Sequence, residues 1–414
     1  MQAMDFDLAP QAAGPGADDS QDVNEELAAR VREAGRNGAR LRLRGGGSKD
    51  FYGEPLAGEP LDLSACQGVV SYEPSELVVT VRAGTPLAEV EALLATQGQC
   101  LPFEPPHFGP GATVGGMVAS GLSGPARASV GAVRDYMLGV QLINGRGEQL
   151  TFGGQVMKNV AGYDVSRLLA GSMGTLGLLL EVSLKVLPVA PAEATLRLAG
   201  LGQSAALDLL NRWGGQPLPL NASCWLHDTT DRTAGEDVLS HVLYVRLRGA
   251  VAAVEAACPR MSDEVSALGG QASRVDAAQA GADWNACREQ TLPFFQAPPA
   301  GMAAHGTELC LWRLSVPQTT PVLALPAVAS SPFIEWHGAL RWVWAPASAA
   351  ALLRNAAQKA GGHATLFRTS ARADADKAVG AFTPLPAVQQ RIQRELQKQF
   401  DPDGVFRTGR LFAG

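Results

Sequence analysis

Pro105-Pro106-His107-Phe108-Gly109-Pro110-Gly111-Ala112-Thr113-Val114-Gly115-Gly116 is the stretch on which the fold turns, and it runs on through Ser120-Gly121, Gly124 and Gly131 to Arg134-Asp135. Glycine at this density, interleaved with Val114, Met117, Val118 and Val133, is not a flexible linker, because a linker carries no such apolar residues to pack. Without a Cβ, a peptide unit can approach a ligand to contact distance and turn its N–H outward, so successive amides can cradle a phosphate or a ring edge. The expected ligand is flat, anionic, or both.

Upstream, the alternating run Ala39-Arg40-Leu41-Arg42-Leu43-Arg44 predicts a strand that leads straight into Gly45-Gly46-Gly47-Ser48-Lys49. Three glycines followed by a hydroxyl and a cation suit a diphosphate loop, although a lone triplet more often serves as a tight turn with φ > 0. Gly68–Tyr72 and Leu77–Gly84 are β-branched runs joined by Glu73-Pro74-Ser75, hence an antiparallel pair. A helix starts at Pro86 and stops at Gly98, with Leu87, Val90, Leu93 and Leu94 inward, and another fits Asp22 to Ala34. The residues before it are rich in Ala, Gly, Pro and Asp and are expected to be mobile. Downstream, Tyr136–Ile143 and Gly147–Phe152 predict a hairpin turning at Asn144-Gly145. Lys158-Asn159-Val160-Ala161-Gly162-Tyr163-Asp164, a short helix through Leu168-Leu169, Gly171-Ser172-Met173-Gly174-Thr175-Leu176-Gly177 and a strand to Pro188 follow. A dinucleotide fold of the Rossmann kind is rejected, because Val114 stands where the third glycine of its fingerprint belongs.

The 414 residues suffice for two domains, and a net charge of −6 gives no basic footprint for nucleic acid. No apolar run approaches the roughly 20 residues of a membrane helix, and the acidic N-terminus reads as no signal or transit peptide, which makes a cytoplasmic protein the expectation. Cys66, Cys100, Cys224, Cys258, Cys287 and Cys310 are scattered, so neither an iron–sulfur nor a zinc site is expected, only buried thiols.

Taken in order, Arg44-Gly45-Gly46-Gly47-Ser48, Val81-Arg82-Ala83-Gly84, Gly111-Ala112-Thr113-Val114-Gly115-Gly116 with Ser120-Gly121, Gly124 and Gly131, and Gly171–Gly177 resemble the FAD-binding domain of the vanillyl-alcohol oxidase type, also called the p-cresol methylhydroxylase (PCMH) type. Phe400-Asp401-Pro402-Asp403-Gly404-Val405-Phe406-Arg407-Thr408-Gly409-Arg410 looks like the closing segment of FAD-linked oxidases. Lys158–Asp164 and Leu184-Lys185-Val186-Leu187-Pro188 make the chain similar to the FAD-binding (E) subunits of bacterial glycolate oxidases. The resemblance implies an α+β protein: a mobile segment at 1–21, a two-lobed PCMH-type FAD-binding domain over 22–190, an α+β (ferredoxin-like) cap over 191–380, and a C-terminal helix and closing segment over 381–414 returning to the FAD domain. It also implies a second flavoprotein subunit and an iron–sulfur subunit as partners, and a place at the inner membrane only through them.

On that resemblance the diphosphate goes to Gly45, Gly46, Gly47 and Ser48, aided by Thr113 and the amides of Gly115-Gly116. Ser120, Gly121, Gly131 and Arg134-Asp135 go near the isoalloxazine or ribityl chain, and Thr175, Gly177 and the strand toward Val182 receive the adenosine. Lys49, Gly84, Pro106, Gly111, Val114, Gly124 and Gly174 complete the set, with Arg134 and Lys158 as cations for flavin N1. Some relatives attach FAD through a histidine of the diphosphate loop; Ser48 stands there, so FAD is expected without a covalent link, and His107 reads as a hydrogen-bonding loop residue. Arg407-Thr408 stands where relatives show Asn-Pro.

From Glu193 the order strand 194–199, helix 203–213, strand 219–227, strand 241–248, helix 250–269 suggests the cap, with further strands at Glu308–Ser315 and Ile334–Trp344. On the last, Trp336, Leu340, Trp342 and Trp344 should face a core while Glu335, His337 and Arg341 face solvent, a subunit or substrate. Oxidising a 2-hydroxy acid needs a cation for the carboxylate and a base for the hydroxyl proton. Catalytic relatives bring a His-rich, Gly-Asp-Gly-Asn segment and a metal; here only Gly361-Gly362-His363-Ala364 resembles it, and no metal site is expected. Three readings follow: an FAD subunit of a glycolate oxidase complex; a self-sufficient dehydrogenase with His363 or His337 as base and Arg341, Arg313 or Arg368 as anchor; and a subunit whose FAD is structural.

Overall fold

The computed structural model describes residues 17–154, 164–228, 240–299, 302 and 308–411. Leu27, Ala28, Val31 and Ala34 recur on one face of a helix that starts at Ala17, earlier than expected, and ends at Asn37, where Gly38 takes φ +66°. Its apolar stripe packs on β1 (Leu41–Arg44) and β2 (Glu59–Asp62), a parallel pair. The first lobe continues with β3 (Val69–Glu73), β4 (Val78–Arg82), β5 (Gln99–Cys100), β6 (Met137–Ile143), β7 (Gln149–Gly153), β8 (Leu178–Lys185) and β9 (Leu187–Pro188). Five of these form a sheet in the order β3-β4-β8-β6-β7, every neighbour antiparallel. The helices Leu87–Ala95 and Val114–Ser120 bury Leu87, Val90, Leu94, Val114, Met117 and Val118 against it.

The β6–β7 connection is longer than the two-residue turn expected at Asn144-Gly145. Ile143 pairs with Gln149, and the Asn144 side-chain oxygen accepts the amides of Arg146 and Glu148, so Asn144 organises a five-residue loop. Gly145 instead donates to the Phe400 carbonyl, which ties the loop to the C-terminal segment. That segment comes back along the first lobe: Val405 and Phe406 are buried among Leu27, Leu41 and Leu178, and Asp401 accepts the amides of both at 2.8 Å. Arg407 points to solvent and Thr408 is buried.

The second sheet has eight strands: β10 (Ala192–Ala199), β11 (Leu220–His227), β12 (His241–Gly249), β13 (Gln271–Arg274), β14 (Cys310–Ser315), β15 (Phe333–Glu335), β16 (Leu340–Ala345) and β17 (His363–Arg368). Its order, β13-β10-β12-β11-β15-β16-β14-β17, is two halves joined where β11 meets β15. The first half is a complete β-α-β-β-α-β unit; the second repeats its pairing in mirror order but replaces the first helix by the segment 316–332. The strand expected at Ile334–Trp344 is therefore a hairpin. The chain reverses through Trp336 and His337, both at positive φ, and Gly338 at φ +103°, so that Glu335 faces Leu340 across the pair.

This reversal changes the fate of the polar residues. Trp336, Leu340, Trp342 and Trp344 do face a core, shared with Tyr52 and Leu122 of the first lobe, as expected. Glu335 lies on that same face, accepting from Trp342 Nε1 at 2.6 Å and from the Cys287 thiol at 3.3 Å, and burial pushes its carboxyl up to about 7. Arg341 is fully buried and donates to the carbonyls of Gly338, Thr320 and Pro321, pinning the replacement segment to the sheet. Neither it nor His337 faces solvent, because both strands of the hairpin are buried along their whole length and so are Trp336 and His337 at the turn.

The lobes are locked by charge as well as by aromatic packing. Arg246 and Arg248 of β12 close on Glu104 at 2.7 and 3.2 Å, and Glu289 accepts the amides of His107 and Phe108. Burial pushes the Glu104 carboxyl up, and Arg246 and Arg248 more than offset it, leaving it ionised below its ordinary range.

Candidate functional site

β1 delivers Gly45–Lys49 to the floor of a cleft whose opposite wall is Gly111–Gly116, and the two loops cross in main-chain contact. A Cβ on Gly46 would sit 1.6 Å from the Gly111 carbonyl oxygen, so the crossing exists only without a side chain there. The cleft spans about 770 Å³, part of it open to solvent. Of the residues expected at a cofactor site, it is lined by Gly45, Gly46, Gly47, Ser48, Lys49, Gly111, Thr113, Gly115, Gly116, Ser120, Gly174 and Gly177. Among the described residues the amides of Gly46, Gly47, Ser48 and Lys49 meet no acceptor. Four free donors in one turn fit a diphosphate.

The facing loop works differently from what its sequence suggests. Thr113 caps the helix Val114–Ser120 by accepting the Gly116 amide at 3.2 Å, while Val114 donates to Thr85 and Gly115 to Ala83. These amides are spent inside the protein, so Gly115 and Gly116 contribute close approach, not donors. A Cβ on Gly116 would meet only the Thr113 hydroxyl, because that position opens into the cleft.

The other expected residues stand behind or outside the cleft. Val114 and Val182 are in the core, and the buried Thr175 hydroxyl donates to Ser172. Gly84 donates to the Cys66 carbonyl, and Gly121 caps the helix as it packs on Gly171. Pro106 and Gly124 line a smaller crevice between the lobes. Asp135 accepts the Ala132 amide at 2.8 Å beside Gly131, and Arg134 points to solvent; neither reaches the cleft, because Asp135 is taken up in capping its own helical turn. Lys158 lies outside the described residues. The His107 ring pairs with Glu91 at 3.0 Å.

Three cations line the cleft, of which Arg44 is paired with Asp50 at 3.1 Å. Burial pushes Lys49 down to about 8, with Glu289 drawing it back, and its ammonium donates to Ser48 Oγ and the His107 carbonyl. Arg410, which sequence reasoning quoted but gave no role, donates to the carbonyls of Lys49 and Tyr52 while its Nε is buried without a partner. Its position within the closing segment was the available signal. An orphaned buried donor, four free amides and a crossing that admits no Cβ fit the diphosphate and ribityl part of FAD.

The expected catalytic residues are not gathered at the cleft. His337 lies between the hydroxyls of Ser129 and Ser223, each at 2.9 Å; burial lowers it to about 4 and keeps it neutral. With both ring nitrogens engaged it is a strut between lobes, not a base. Arg368 stacks on Phe51 and Phe108 and donates to Gln290. The register sets Arg313 opposite Trp342 and His363 opposite Ser315, so Arg313 and His363 share a face. His363 is open to solvent, yet partial burial of its ring and then Arg313 and Arg127 hold it below its ordinary value. All six cysteines are free thiols and five are buried; the described residues hold no cluster of metal ligands, and no helix among them is long and apolar enough to cross a membrane.

An antiparallel sheet with a glycine-built anion cleft, closed by a large antiparallel cap, defines an FAD-linked oxidoreductase. The family model described as an FAD binding domain matches residues 22–153. Glycolate oxidase subunit GlcE of Escherichia coli is 41% identical over 95% of this chain and 98% of its own. The mitochondrial D-lactate dehydrogenase [cytochrome] of Arabidopsis thaliana is 32% identical over 34% of this chain and 25% of its own, and glycolate oxidase subunit GlcD of Bacillus subtilis 30% over 31% and 27%. A solved alkyldihydroxyacetonephosphate synthase shares the fold, with a TM-score of 0.62 at 16% identity over 92% of this chain and 73% of that one. The chain belongs to the family of FAD-linked oxidoreductases that includes glycolate oxidase subunit GlcE, and its cofactor is FAD.

Proposed function

We propose that this chain is the FAD-binding subunit of a glycolate oxidase (glycolate dehydrogenase) complex. It takes part in oxidising glycolate to glyoxylate beside a second flavoprotein subunit and passes electrons to an iron–sulfur subunit. The reading rests on one observation above others, the four unpartnered amides of Gly46–Lys49 facing the Gly111–Gly116 crossing. Its full-length likeness to GlcE supports the choice of complex.

In this proposal FAD is bound without a covalent link and supplies a two-electron acceptor that can release electrons singly. Gly46, Gly47, Ser48 and Lys49 would donate to the diphosphate, and Arg410, which lines the same cleft, would add positive charge there. Lys49 would supply a cation to the cofactor, the part expected of Arg134 and Lys158. Gly111, Thr113, Gly115, Gly116, Ser120, Gly174 and Gly177 form the walls, and Gly84, Val114, Thr175 and Val182 hold those walls in place. The FAD unit spans 22–190, the cap 191–380 and the closing segment 381–414; an attachment to the inner membrane runs through partner subunits.

The test is expression alone and with the neighbouring flavin and iron–sulfur polypeptides. The proposal expects a yellow chain in both cases and glycolate-dependent bleaching of the flavin band in the assembled complex. A complex that bleaches fully when this chain carries no flavin would overturn it.

A further inference from the structure

The chain enters the Gly111–Gly116 wall of the cofactor cleft through a loop that the cap holds by charge. Two residues of that loop sit in the left-handed region without being glycine, Glu104 at φ +47° and Phe108 at φ +53°. Such a backbone persists only where its surroundings over-determine it. At Glu104 the hold is Arg246 and Arg248 of β12, which close on its carboxylate. At Phe108 it is Glu289, the last residue of the cap helix Ala277–Glu289. The Glu289 carboxylate accepts the Phe108 amide at 2.8 Å and the His107 amide at 3.1 Å.

The first lobe grips the same spot from the other side. Lys49 lines the cofactor cleft, and its ammonium donates to the His107 carbonyl at 3.2 Å. That carbonyl and the Phe108 amide belong to one peptide group, so an anion of the cap and a cation of the cleft hold it from opposite ends. Hydrogen bonds chained in this way polarise one another. Burial lowers Lys49 to about 8, and Glu289 is the charge that draws it back. The other charges around Lys49 are accounted for. Arg44 pairs with Asp50, Arg410 donates to the Lys49 carbonyl, and Arg368 lies over the Phe108 ring, as Lys49 does. The His107 ring pairs with Glu91, and Arg288 with both Glu91 and Glu289.

We propose that Glu289 is a positioning residue of the cofactor site: acting from the cap through the His107–Phe108 peptide, it keeps the Lys49 ammonium charged and in place in the cleft. Glu289 does not itself line the cleft. The inference rests on the reading of that cleft as the FAD site and deepens it, because the grip of the first lobe on its cofactor then depends on the cap. The pH dependence has a definite sign. The diphosphate attracts Lys49 only as the ammonium, so its contribution to FAD affinity is full well below pH 8 and falls as pH rises through about 8. With Glu289 neutralised, burial acts on Lys49 unopposed and the fall moves to lower pH.

The experiment is equilibrium dialysis of the purified full chain against FAD over roughly pH 6 to 9. The parent should lose affinity as pH passes about 8. Glu289→Gln keeps an oxygen for the Phe108 amide but not the charge. It should lose affinity at lower pH and bind FAD about 3- to 10-fold more weakly than the parent near the parent's midpoint. Lys49→Arg stays charged throughout the range and should show no fall. This second variant leaves Glu289 in place, so the proposal remains testable if the Gln chain does not fold. A Glu289→Gln profile that coincides with the parent's, or a fall that survives in Lys49→Arg, would overturn the proposal and leave the flavin reading standing. A folded parent that takes up no FAD at any pH would overturn both.

Discussion

The cofactor cleft and the lobe interface lie side by side and are built on opposite principles. In the cleft, main chain crosses main chain at Gly46 and Gly111, and the chemistry is carried by amides. At the interface, large side chains interlock: Tyr52, Trp336, Trp342 and Phe367 belong to one packed cluster, Arg246, His337 and Glu335 are buried, and Glu104 is half-buried against Arg246. The first is intolerant of any added atom and the second of any lost partner. Substitutions in the two places should therefore fail in different ways.

The largest expected effect is at the cleft. Gly46→Val drives a branched side chain into the Gly111 carbonyl, and the chain should come off purification without flavin, measured as the ratio of FAD to protein. At the interface, Glu104→Ala strands the buried Arg246; a loss of about 3–5 kcal/mol is expected in urea unfolding, with flavin retained below the transition. The interface should also respond to acid. His337 is depressed to about 4 from an ordinary 6.5, so the folded state favours the neutral ring. Its contribution, on the order of 3 kcal/mol, is full above pH 6.5 and lost as pH falls toward 4. Thermal melts of the parent against His337→Gln should differ most above pH 6.5 and converge at about 4. The smallest effect is again at the cleft, where Arg410→Gln removes a charged donor and its bonds to the Lys49 and Tyr52 carbonyls but leaves the Gly46–Gly111 crossing intact. A fall in FAD affinity of roughly 10- to 100-fold is expected by equilibrium titration.

The same contrast explains what was legible in the sequence. Gly45–Lys49 and Gly111–Gly116 were readable because a backbone that must touch another backbone admits only glycine, whatever the rest of the fold does. The hairpin at Trp336–Ala339 was not, since its alternation of apolar and polar residues matches a continuous strand, and only tertiary packing forces Trp336 and His337 to positive φ. Arg341 and His337 looked like site residues for that reason, and both proved to be internal struts. Amide partners such as Ala83 and Thr85 are set by strand-to-loop contacts that no local pattern records, so the donor role given to Gly115 and Gly116 was misplaced.

The central claim, that free main-chain amides at Gly46–Lys49 hold FAD, is tested most directly by the flavin content of the full chain purified by itself. Equimolar FAD, released intact on denaturation, is the predicted result. Colourless, folded protein that takes up no FAD when it is supplied in excess would contradict it.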